Sequence, residues 1–322
     1  MSLDPLLAAL ASNRAISGVV LAQSLGISRA AVWKQIDRLR ALGLEIEAQA
    51  GAGYRLAHPL QLLDASLIRS RIELPVQTLL RQLTIVNETA STSADLLARS
   101  SSLASGVVLI AEAQTAGRGQ RGRRWQSPFA SGFLGSLLWR FDQGLASLGG
   151  LSLAMGVAVA DALAECGASV WLKWPNDIVV DGHKLGGLLV DAGGEAHGDC
   201  HVVVGLGLNG RITEAARSQI EQPVTDLVSV LGSVVDRNVL AARLLTHLLT
   251  ALRDFSVHGF AAFHARFLAL DALYGRHVNV CSGNAQHQGV AAGVDDSGRL
   301  CVTIDGVRQA FDVGTLRVLG SG

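Results

Sequence analysis

The stretch from Gly117 to Trp125, which we call the arginine loop, contains three glycines and four arginines but no acidic residue. Arginine guanidinium groups bind carboxylate and phosphate oxygens through paired N–H groups. Glycine lets the backbone approach a ligand closely, and the indole of Trp125 offers a flat face on which a ring can stack. The stretch therefore predicts a loop that closes over a small anionic ligand. The alternatives are a solvated basic turn and a nucleic-acid-binding Arg/Gly arm.

Two lysines, Lys173 and Lys184, occur within strands that are otherwise apolar. A lysine among apolar neighbours costs free energy unless an anion pairs with it. Lys184 precedes Gly186 and Gly187, where a ligand can come close to the backbone, and it is the stronger candidate for an anion-binding residue. The alternative is that both lysines lie on edge strands and point into solvent.

Three consecutive hydroxyl residues, Ser91, Thr92 and Ser93, precede a predicted helix that extends to residue 98. Hydroxyls and free N–H groups at a helix start can bind a polar ligand. Thr92 and Asp95 have the spacing of a capping box, so helix capping alone would also account for these hydroxyls.

Buried strands are expected to position the arginine loop. An apolar strand at 107–111 leads through Gln114 into the loop, and a strand at 133–141 leaves it. Loops between core strands are common places for active-site lids. The strand at 202–209 ends in Asn209, whose amide can bind a base edge or a phosphate. Further strands are predicted at 83–86, 170–174, 178–180 and 183–190, and a buried helix at 151–165.

The first 58 residues predict a separate helical module. Helices are expected at 6–10, 19–25 and 29–42, with Gly26 in the turn and Ser28 as the cap of the third helix, followed by two short strands. This is the pattern of a winged helix-turn-helix, and four basic residues against one acid from 29 to 40 favour DNA binding. A module for dimerisation or protein contacts is the alternative. The candidate DNA contacts are Ser28, Arg29, Trp33, Lys34, Arg38, Arg40 and Arg55.

After amphipathic helices at 236–255 and 260–270, the pattern changes to short alternating strands from residue 276 onward. Turn sequences at 296–298 and 305–306 separate these strands. This texture is typical of a small β-barrel.

The composition excludes several classes of protein. The 322 residues include 27 Lys+Arg and 27 Asp+Glu, so no global charge attracts the chain to nucleic acid or membrane. No apolar run reaches the roughly 18 residues that span a bilayer, and the N-terminus lacks the basic region of a signal peptide. The four cysteines have no metal-ligand spacing. We therefore expect a cytoplasmic protein with reduced thiols and without a membrane segment or a metal site of its own.

Five motifs in order resemble the bifunctional biotin–protein ligases and biotin-operon repressors of bacteria. They are LGISRAA at 25–31, QTAGRG at 114–119, KWPND at 173–177, KLGG at 184–187 and GLGLN at 205–209. The resemblance implies an α+β multidomain fold. It consists of a winged helix-turn-helix domain at 1–58, a central α/β ligase domain of the biotin/lipoate ligase type at 76–274 and an SH3-like β-barrel at 275–322.

The resemblance also implies a reaction in two steps. Biotin and ATP, the latter with Mg²⁺, give biotinyl-5′-adenylate and pyrophosphate, and the biotinyl group then passes to a lysine of a biotin carboxyl carrier protein. The implied partners are this carrier protein, operator DNA and a second copy of the chain in a ligand-dependent homodimer. Two alternatives remain open, a ligand-sensing transcription factor without catalysis and a lipoate–protein ligase.

Residue by residue, the resemblance implies three sets of site residues. The biotin contacts are Ser91, Thr92, Ser93, Gln114, Arg118, Gly119, Gln120, Lys184, Gly186, Gly187 and Gly205. The nucleotide contacts are Arg121, Arg123, Trp125, Lys173, Asn209 and Arg317. The catalytic residues are Arg118, Lys184, Lys173 and Asp177, the last of which orients or deprotonates the acceptor lysine. Two positions depart from the family pattern: Gln120 replaces an expected arginine, and Pro223 stands near an expected adenine-stacking aromatic residue.

Overall fold

The computed structural model describes residues 4–12, 14–49, 51–282, 285–312 and 314–319. Within these ranges the chain forms an N-terminal helical module, a central α/β unit and a C-terminal β-sheet. No helix in the described ranges has both the length and the apolar character needed to span a membrane. All four cysteines are free thiols.

The N-terminal module has the predicted helices and hairpin: α1 (Asp4–Leu10), α2 (Gly18–Leu25), α3 (Arg29–Ala41), β1 (Ile46–Gln49) and β2 (Gly53–Leu56). Gly26 ends α2 in the left-handed conformation that glycine adopts at low cost. The Ser28 hydroxyl accepts a backbone N–H of the first turn of α3. Val32, Ile36 and Leu39 are buried on one face of α3, because residues three and four apart lie on the same side of a helix.

A connector joins this module to the central unit through α4 (Ala65–Ser70) and α5 (Leu74–Gln77). The helix predicted near 63–72 is shorter in the structure because Asp64 caps it. The second connector helix was not predicted. It has Pro75 in its first turn, where the N–H that proline lacks has no partner within the helix in any case.

The start of the connector is held by buried polar groups. The Glu112 side chain is 1% exposed, pairs with the Arg237 guanidinium at 2.6 Å and accepts the backbone N–H of Leu63 at 2.7 Å. The backbone N–H of Asp64 donates to the side-chain oxygen of Asn238 at 2.7 Å. A buried carboxylate needs such partners, since an unpaired one costs several kcal/mol. The connector is therefore fixed to the central unit.

The central unit is built on a seven-stranded sheet in the order β3-β4-β5-β9-β8-β7-β6. β3 and β4 are parallel, and the other neighbours are antiparallel. The strands are β3 (Gln82–Thr89), β4 (Val107–Gln114), β5 (Phe133–Phe141), β6 (Trp171–Lys173), β7 (Asp177–Val180), β8 (His183–Gly194) and β9 (Cys200–Leu208). The predicted strands are all present, and β3, β4 and β8 are longer than predicted.

Helices complete this unit: α6 (Thr92–Leu97), α7 (Leu151–Glu165), α8 (Glu214–Arg217), α9 (Leu227–Leu231), α10 (Arg237–His258) and α11 (Ala261–Leu270). α7 is buried nearly all round, as its apolar composition predicts, and with α10 it forms the main core against the sheet. Each leucine buried there contributes about 1.5–3 kcal/mol. The short helices α8 and α9 were not predicted.

The C-terminal region is a five-stranded antiparallel sheet in the order β13-β12-β11-β10-β14. Its strands are β10 (His277–Ser282), β11 (Ala285–Val294), β12 (Leu300–Ile304), β13 (Val307–Phe311) and β14 (Thr315–Val318). The predicted β-rich domain is thus confirmed. Residues 283, 284, 313 and 320–322 of its predicted range lie outside the described residues.

The N-terminal module packs directly on the central unit. Phe129, four residues after the arginine loop, lies in the same buried cluster as the core of the module, and its N–H donates to the carbonyl of Leu42 at 2.8 Å. The guanidinium of Arg38 on α3 pairs with Glu88 on β3 at 2.6 Å. The C-terminal half of α3 therefore contacts two segments, one that follows the arginine loop and one that leads into residues 91–93.

Candidate active site

The arginine loop is an ordered hairpin. The N–H of Trp125 donates to the carbonyl of Gly117 at 2.9 Å, and the N–H of Gly119 donates to the carbonyl of Arg123 at 2.7 Å. Its tip is a single 3₁₀ turn in which Arg121 has φ 58°. A Cβ on Gly117 would lie 2.6 Å from the carbonyl oxygen of Trp125, so this position requires glycine. The arginine loop is therefore a structured hairpin, held by backbone bonds at its base and below its tip.

The hairpin forms one wall of a cavity of ≈ 650 Å³. The opposite walls come from Trp174 and Pro175, from residues 189–191 of β8 and from Asp312 in the C-terminal sheet. Gln120 lies at the start of the tip and lines the cavity with the neighbouring arginines. The cavity has the size and the basic wall that a nucleotide would need.

The arginines of the hairpin differ in their partners. Arg118 forms a two-pronged ion pair with Asp191 of β8, with N···O distances of 3.1 and 3.4 Å. Arg124 donates to the carbonyl of Thr115. Among the described residues, Arg121 and Arg123 have no ion-pair partner. These two guanidinium groups are available to an anion without breaking an existing contact.

Lys184 is held close to a carboxylate. Its Nζ lies 2.6 Å from Oδ1 of Asp177, and the lysine side chain is only 17% exposed. The same Nζ lies 5.6 Å from the centre of the Trp125 ring, within reach of a cation–π contact. Pairing and burial replace the predicted alternative of a solvated edge lysine. The backbone N–H of Lys184 donates to the carbonyl of Pro223, which therefore has a role in shaping this region.

Lys173 and Gly187 lie on either side of Asp177. Lys173 is its Cα partner on the edge strand β6, and Gly187 is its partner on β8. A Cβ on Gly187 would lie 3.2 Å from Cε of Lys184 and 3.5 Å from the Asp177 carboxylate. Glycine at this position thus leaves room for the ion pair. Gly186 is also constrained, since a Cβ there would lie 2.9 Å from the carbonyl oxygen of Gly207.

The three hydroxyl residues fall at the start of α6, but the predicted capping box is wrong. Ser91 caps the helix, because its hydroxyl accepts the N–H of Ala94 at 3.4 Å. Thr92 is instead the first helical residue, and both its N–H and its hydroxyl donate to Oε1 of Gln114, at 2.8 and 3.2 Å. Asp95 accepts the hydroxyl of Thr89. The hydroxyl of Thr92 is therefore part of a buried polar cluster.

That cluster contains Ser136, a residue that sequence reasoning missed. Its hydroxyl lies 2.7 Å from that of Thr92 and 2.9 Å from that of Ser93. Ser136 pairs with Gly205 across β5 and β9, and a Cβ on Gly205 would lie 2.6 Å from the hydroxyl of Ser93. The structure thus brings the predicted biotin contacts Ser91, Thr92, Ser93, Gln114 and Gly205 together around a buried group of hydroxyls.

Trp125 closes the base of the hairpin over β9. Its ring covers Gly207, where a Cβ would lie 2.5 Å from the indole. The indole Nε1 is buried and has no hydrogen-bond partner in the described part of the chain. A buried donor without a partner is costly, and an acceptor atom on a ligand would satisfy it.

The remaining predicted nucleotide contacts differ in their setting. Asn209 is buried, and its amide donates to the carbonyls of Thr225 and Lys184, at 3.1 and 3.5 Å. Its amide therefore holds the backbone around Lys184. Arg317 is an exposed residue of β14, three positions after Gly314, which lines the cavity. The nucleotide contacts of both residues stay predictions.

The predicted DNA-binding residues divide into two groups. Ser28, Arg29, Trp33 and Lys34 are exposed at the start of α3, and Trp33 is 55% exposed. The other three are held within the protein: Arg38 pairs with Glu88, Arg40 donates to the carbonyl of Ile46, and Arg55 pairs with Glu47. These three arginines therefore have partners within the protein, and their contacts with DNA stay predictions.

Three family models match the chain. An HTH domain matches residues 4–55, the biotin/lipoate A/B protein ligase family matches 84–209, and the biotin protein ligase C terminal domain matches 273–315. The bifunctional ligase/repressor BirA of Salmonella typhimurium is 37% identical over 94% of this chain and 92% of its own length. This chain belongs to the bifunctional biotin ligase/repressor family.

Other relatives of this biotin ligase/repressor agree with that assignment. The biotin--[acetyl-CoA-carboxylase] ligase of Mycobacterium tuberculosis is 39% identical over 74% of this chain and 90% of its own length. The solved structure of the biotin protein ligase from Aquifex aeolicus in complex with biotin and ATP superposes with a TM-score of 0.62 at 25% identity. The superposition covers 74% of this chain and all of that one.

Sequence reasoning missed three residues of this candidate site. Ser136 had a usable signal, since it is the one small hydroxyl residue in the apolar strand β5. Gly207 lies within the GLGLN motif at 205–209, but its contact with Trp125 is not predictable from the motif. Asp191 carried no local signal, because only the fold brings it to Arg118.

Proposed function

We propose that this chain activates biotin with ATP to biotinyl-5′-adenylate and transfers the biotinyl group to a lysine of a biotin carboxyl carrier protein. The observation that carries the proposal is the position of Trp125 at the base of the arginine loop. It lies on Gly207 and beside Lys184, so the basic hairpin meets the strands that bear Lys184 and Asp177. Family membership supports the same reaction.

In the first step a biotin carboxylate oxygen attacks the α-phosphorus of ATP, and pyrophosphate leaves. Both reactants are anions that repel each other, so fixed cations in a partly dry site are needed to bring them together. Arg118 and Lys184 supply these cations, with Lys173 beside them on β6. Arg121 and Arg123 are free to hold phosphate oxygens, and Mg²⁺ enters with the ATP phosphates.

Biotin itself presents a polar ureido group and a carboxylate at opposite ends. The buried cluster of Thr92, Ser93, Gln114 and Ser136 offers hydroxyl and amide partners suited to the ureido end. A site built to hydrogen-bond such a group discriminates against ligands that lack it. Lipoate has no ureido group, so this cluster favours biotin over lipoate.

In the second step the neutral amine of the acceptor lysine attacks the carbonyl of the adenylate, and AMP leaves. Asp177 lies at the start of β7, on the strand that follows the Trp174-Pro175 turn of the cavity wall. Its carboxylate can accept a proton from the incoming ammonium or orient it. The Lys184 ammonium beside it keeps the carboxylate in place.

For the DNA-binding part, we propose contacts from Ser28, Arg29, Trp33 and Lys34 at the start of α3. This exposed end can enter the major groove, while Arg38 at the other end of the helix holds the module to the central unit through Glu88. Tight binding to an operator needs two half-sites and therefore a homodimer, which the adenylate stabilises by ordering loops of the ligase domain. The proposed location is the cytoplasm. The proposed domain limits remain 1–58, 76–274 and 275–322.

A transfer assay tests the proposed activity. The purified chain is incubated with MgATP, a carrier domain and either radiolabelled biotin or radiolabelled lipoate. We expect biotin to label the carrier, and a carrier with arginine in place of its acceptor lysine to stay unlabelled. Label from lipoate would identify a lipoate ligase. Adenylate formation without transfer would identify a ligand sensor.

A further inference from the structure

Two of the three candidate catalytic cations are each paired with a carboxylate of their own. Lys184 pairs with Asp177 at 2.6 Å, and Arg118 pairs with Asp191 at 3.1 and 3.4 Å. The first carboxylate belongs to a recognised motif, but the second does not. Asp191 is therefore a charged residue of the site without an assigned role.

Asp191 is placed where it faces an entering ligand. Gly187, Leu189 and Asp191 lie on the same face of β8, since side chains alternate along a strand. The Lys184–Asp177 pair lies next to Gly187. Asp191 lies about 13 Å further along the same face. Both Leu189 and Asp191 line the cavity that the arginine loop closes.

One guanidinium cannot offer the same N–H groups to two anions. The two-pronged contact uses both terminal nitrogens of Arg118 for the Asp191 carboxylate. A biotin carboxylate or a phosphate that binds this same edge of Arg118, through one N–H of each terminal nitrogen, must therefore displace Asp191. Arg121 and Arg123, by contrast, can bind an anion without such an exchange.

We propose that Asp191 is a displaceable counter-ion of Arg118 that lowers the affinity of the site for anionic ligands. It holds the Arg118 guanidinium before the ligand arrives, and it is released when Arg118 turns to the ligand. It acts through Arg118 and is a positioning residue. The inference rests on the proposed function, because it takes the ligand to be biotin or its adenylate.

The size of the effect follows from the exposure of the pair. The Arg118 and Asp191 side chains are 43% and 24% exposed, so the pair is partly screened by water. Exposed pairs are worth up to about 1 kcal/mol, which corresponds to roughly two- to five-fold in affinity. Asp191→Asn should tighten binding of biotin and of a non-hydrolysable biotinyl-adenylate analogue by that factor.

Calorimetric titration of the full chain, combined with a double-mutant cycle, tests this. Asp191→Asn, Asp191→Glu and the control Asp199→Asn are compared in the wild type and in Arg118→Ala. Asp199 is an exposed carboxylate of the β8–β9 turn, so its substitution makes the same charge change away from the cavity. We expect tighter binding only for Asp191→Asn, near-normal binding for Asp191→Glu, and no effect of Asp191→Asn once Arg118 is absent.

Other outcomes overturn the inference. Weaker binding by Asp191→Asn would mean that Asp191 prepares Arg118 for the ligand, and unchanged binding would mean that the pair has no role. If Asp191→Asn tightens binding equally in the wild type and in Arg118→Ala, the effect is one of overall charge and does not act through Arg118. A circular-dichroism melt of each variant identifies one that fails to fold, in which case Asp191→Glu and Asp191→Ser carry the test. If the wild type binds neither biotin nor the analogue, the proposed function fails, which is a different result.

Discussion

Removing the carboxylate of Glu88 should add a DNA contact by releasing Arg38. Arg38 is four residues after Lys34 on α3, so the two side chains share a face of the helix. In the structure the Arg38 guanidinium is held by Glu88 at 2.6 Å. In Glu88→Gln this arginine is free to reach a phosphate next to the one that Lys34 contacts. The side chains of the pair are 54% and 23% exposed, so breaking it costs at most about 1 kcal/mol of stability.

The expected magnitude comes from counterion release. Each additional phosphate contact steepens the dependence of log affinity on log salt by about 0.9. Between about 50 and 200 mM salt, one extra contact therefore makes affinity fall about 3.5-fold further, and two contacts in a dimer make it fall about 12-fold further. Glu88→Gln should bind operator DNA more tightly at low salt and show the steeper slope.

The assay is fluorescence anisotropy with an operator duplex selected in vitro, at several salt concentrations and with biotin and ATP present. Glu73→Gln is the matched control, since Glu73 is exposed and its side chain makes no capping bond. Arg38→Ala should leave the wild-type slope unchanged and should cancel the gain in Glu88→Gln. Equal slopes for wild type and Glu88→Gln, or a shallower slope in Arg38→Ala alone, would refute the reasoning.

Three further predictions concern catalysis and stability. Lys184→Ala should slow biotin-dependent pyrophosphate exchange by roughly 100-fold or more, because the transition state loses a fixed cation worth about 3 kcal/mol. An exchange rate near that of the wild type would remove Lys184 from the site. Burial raises the pKa of Asp271 above its ordinary value of 3.8. The folded state therefore binds more protons than the unfolded state above pH 3.8, and stability falls as pH rises through the raised pKa. Asp271→Asn should remove that fall in urea unfolding measured from pH 4 to 8. Arg237→Met should destabilise the chain by about 3–5 kcal/mol, since it strands the buried Glu112 carboxylate. Adding Glu112→Leu should restore part of the lost unfolding free energy in the same assay. A much smaller loss for Arg237→Met alone would contradict this account.

The sequence identified the elements better than the contacts between them. The bounds of β5 and α7 match the predicted ones, because long apolar runs between turn signals have few alternative structures. The arginine loop was found from its composition. Its hairpin form was not, since the closing bonds between Gly117 and Trp125 are backbone bonds that leave no mark in the side chains.

Ion pairs between residues that are distant in the chain could not be predicted from the sequence. Arg38 and Glu88 are 50 residues apart, and Arg118 and Asp191 are 73 apart. A count of local charge made Arg38 a DNA contact, because the count treats every arginine as free. Ser91 is the cap instead of Thr92, although the spacing to Asp95 favours Thr92, because the N–H and hydroxyl of Thr92 are bonded to Gln114.

The fixed connector holds the DNA-binding module in one orientation on the central unit. Leu63 and Asp64 are bonded to Glu112 and Asn238 of the central unit, so no flexible tether separates the two parts. A flexible linker would let the two DNA-binding modules of a dimer bind half-sites at a range of separations. In a dimer of this chain, the ligase units would therefore fix the distance between the two DNA-binding modules. If the half-sites of an operator are moved apart by about half a helical turn, the second major groove faces the wrong side of the duplex. A dimer with fixed modules cannot then bind both half-sites.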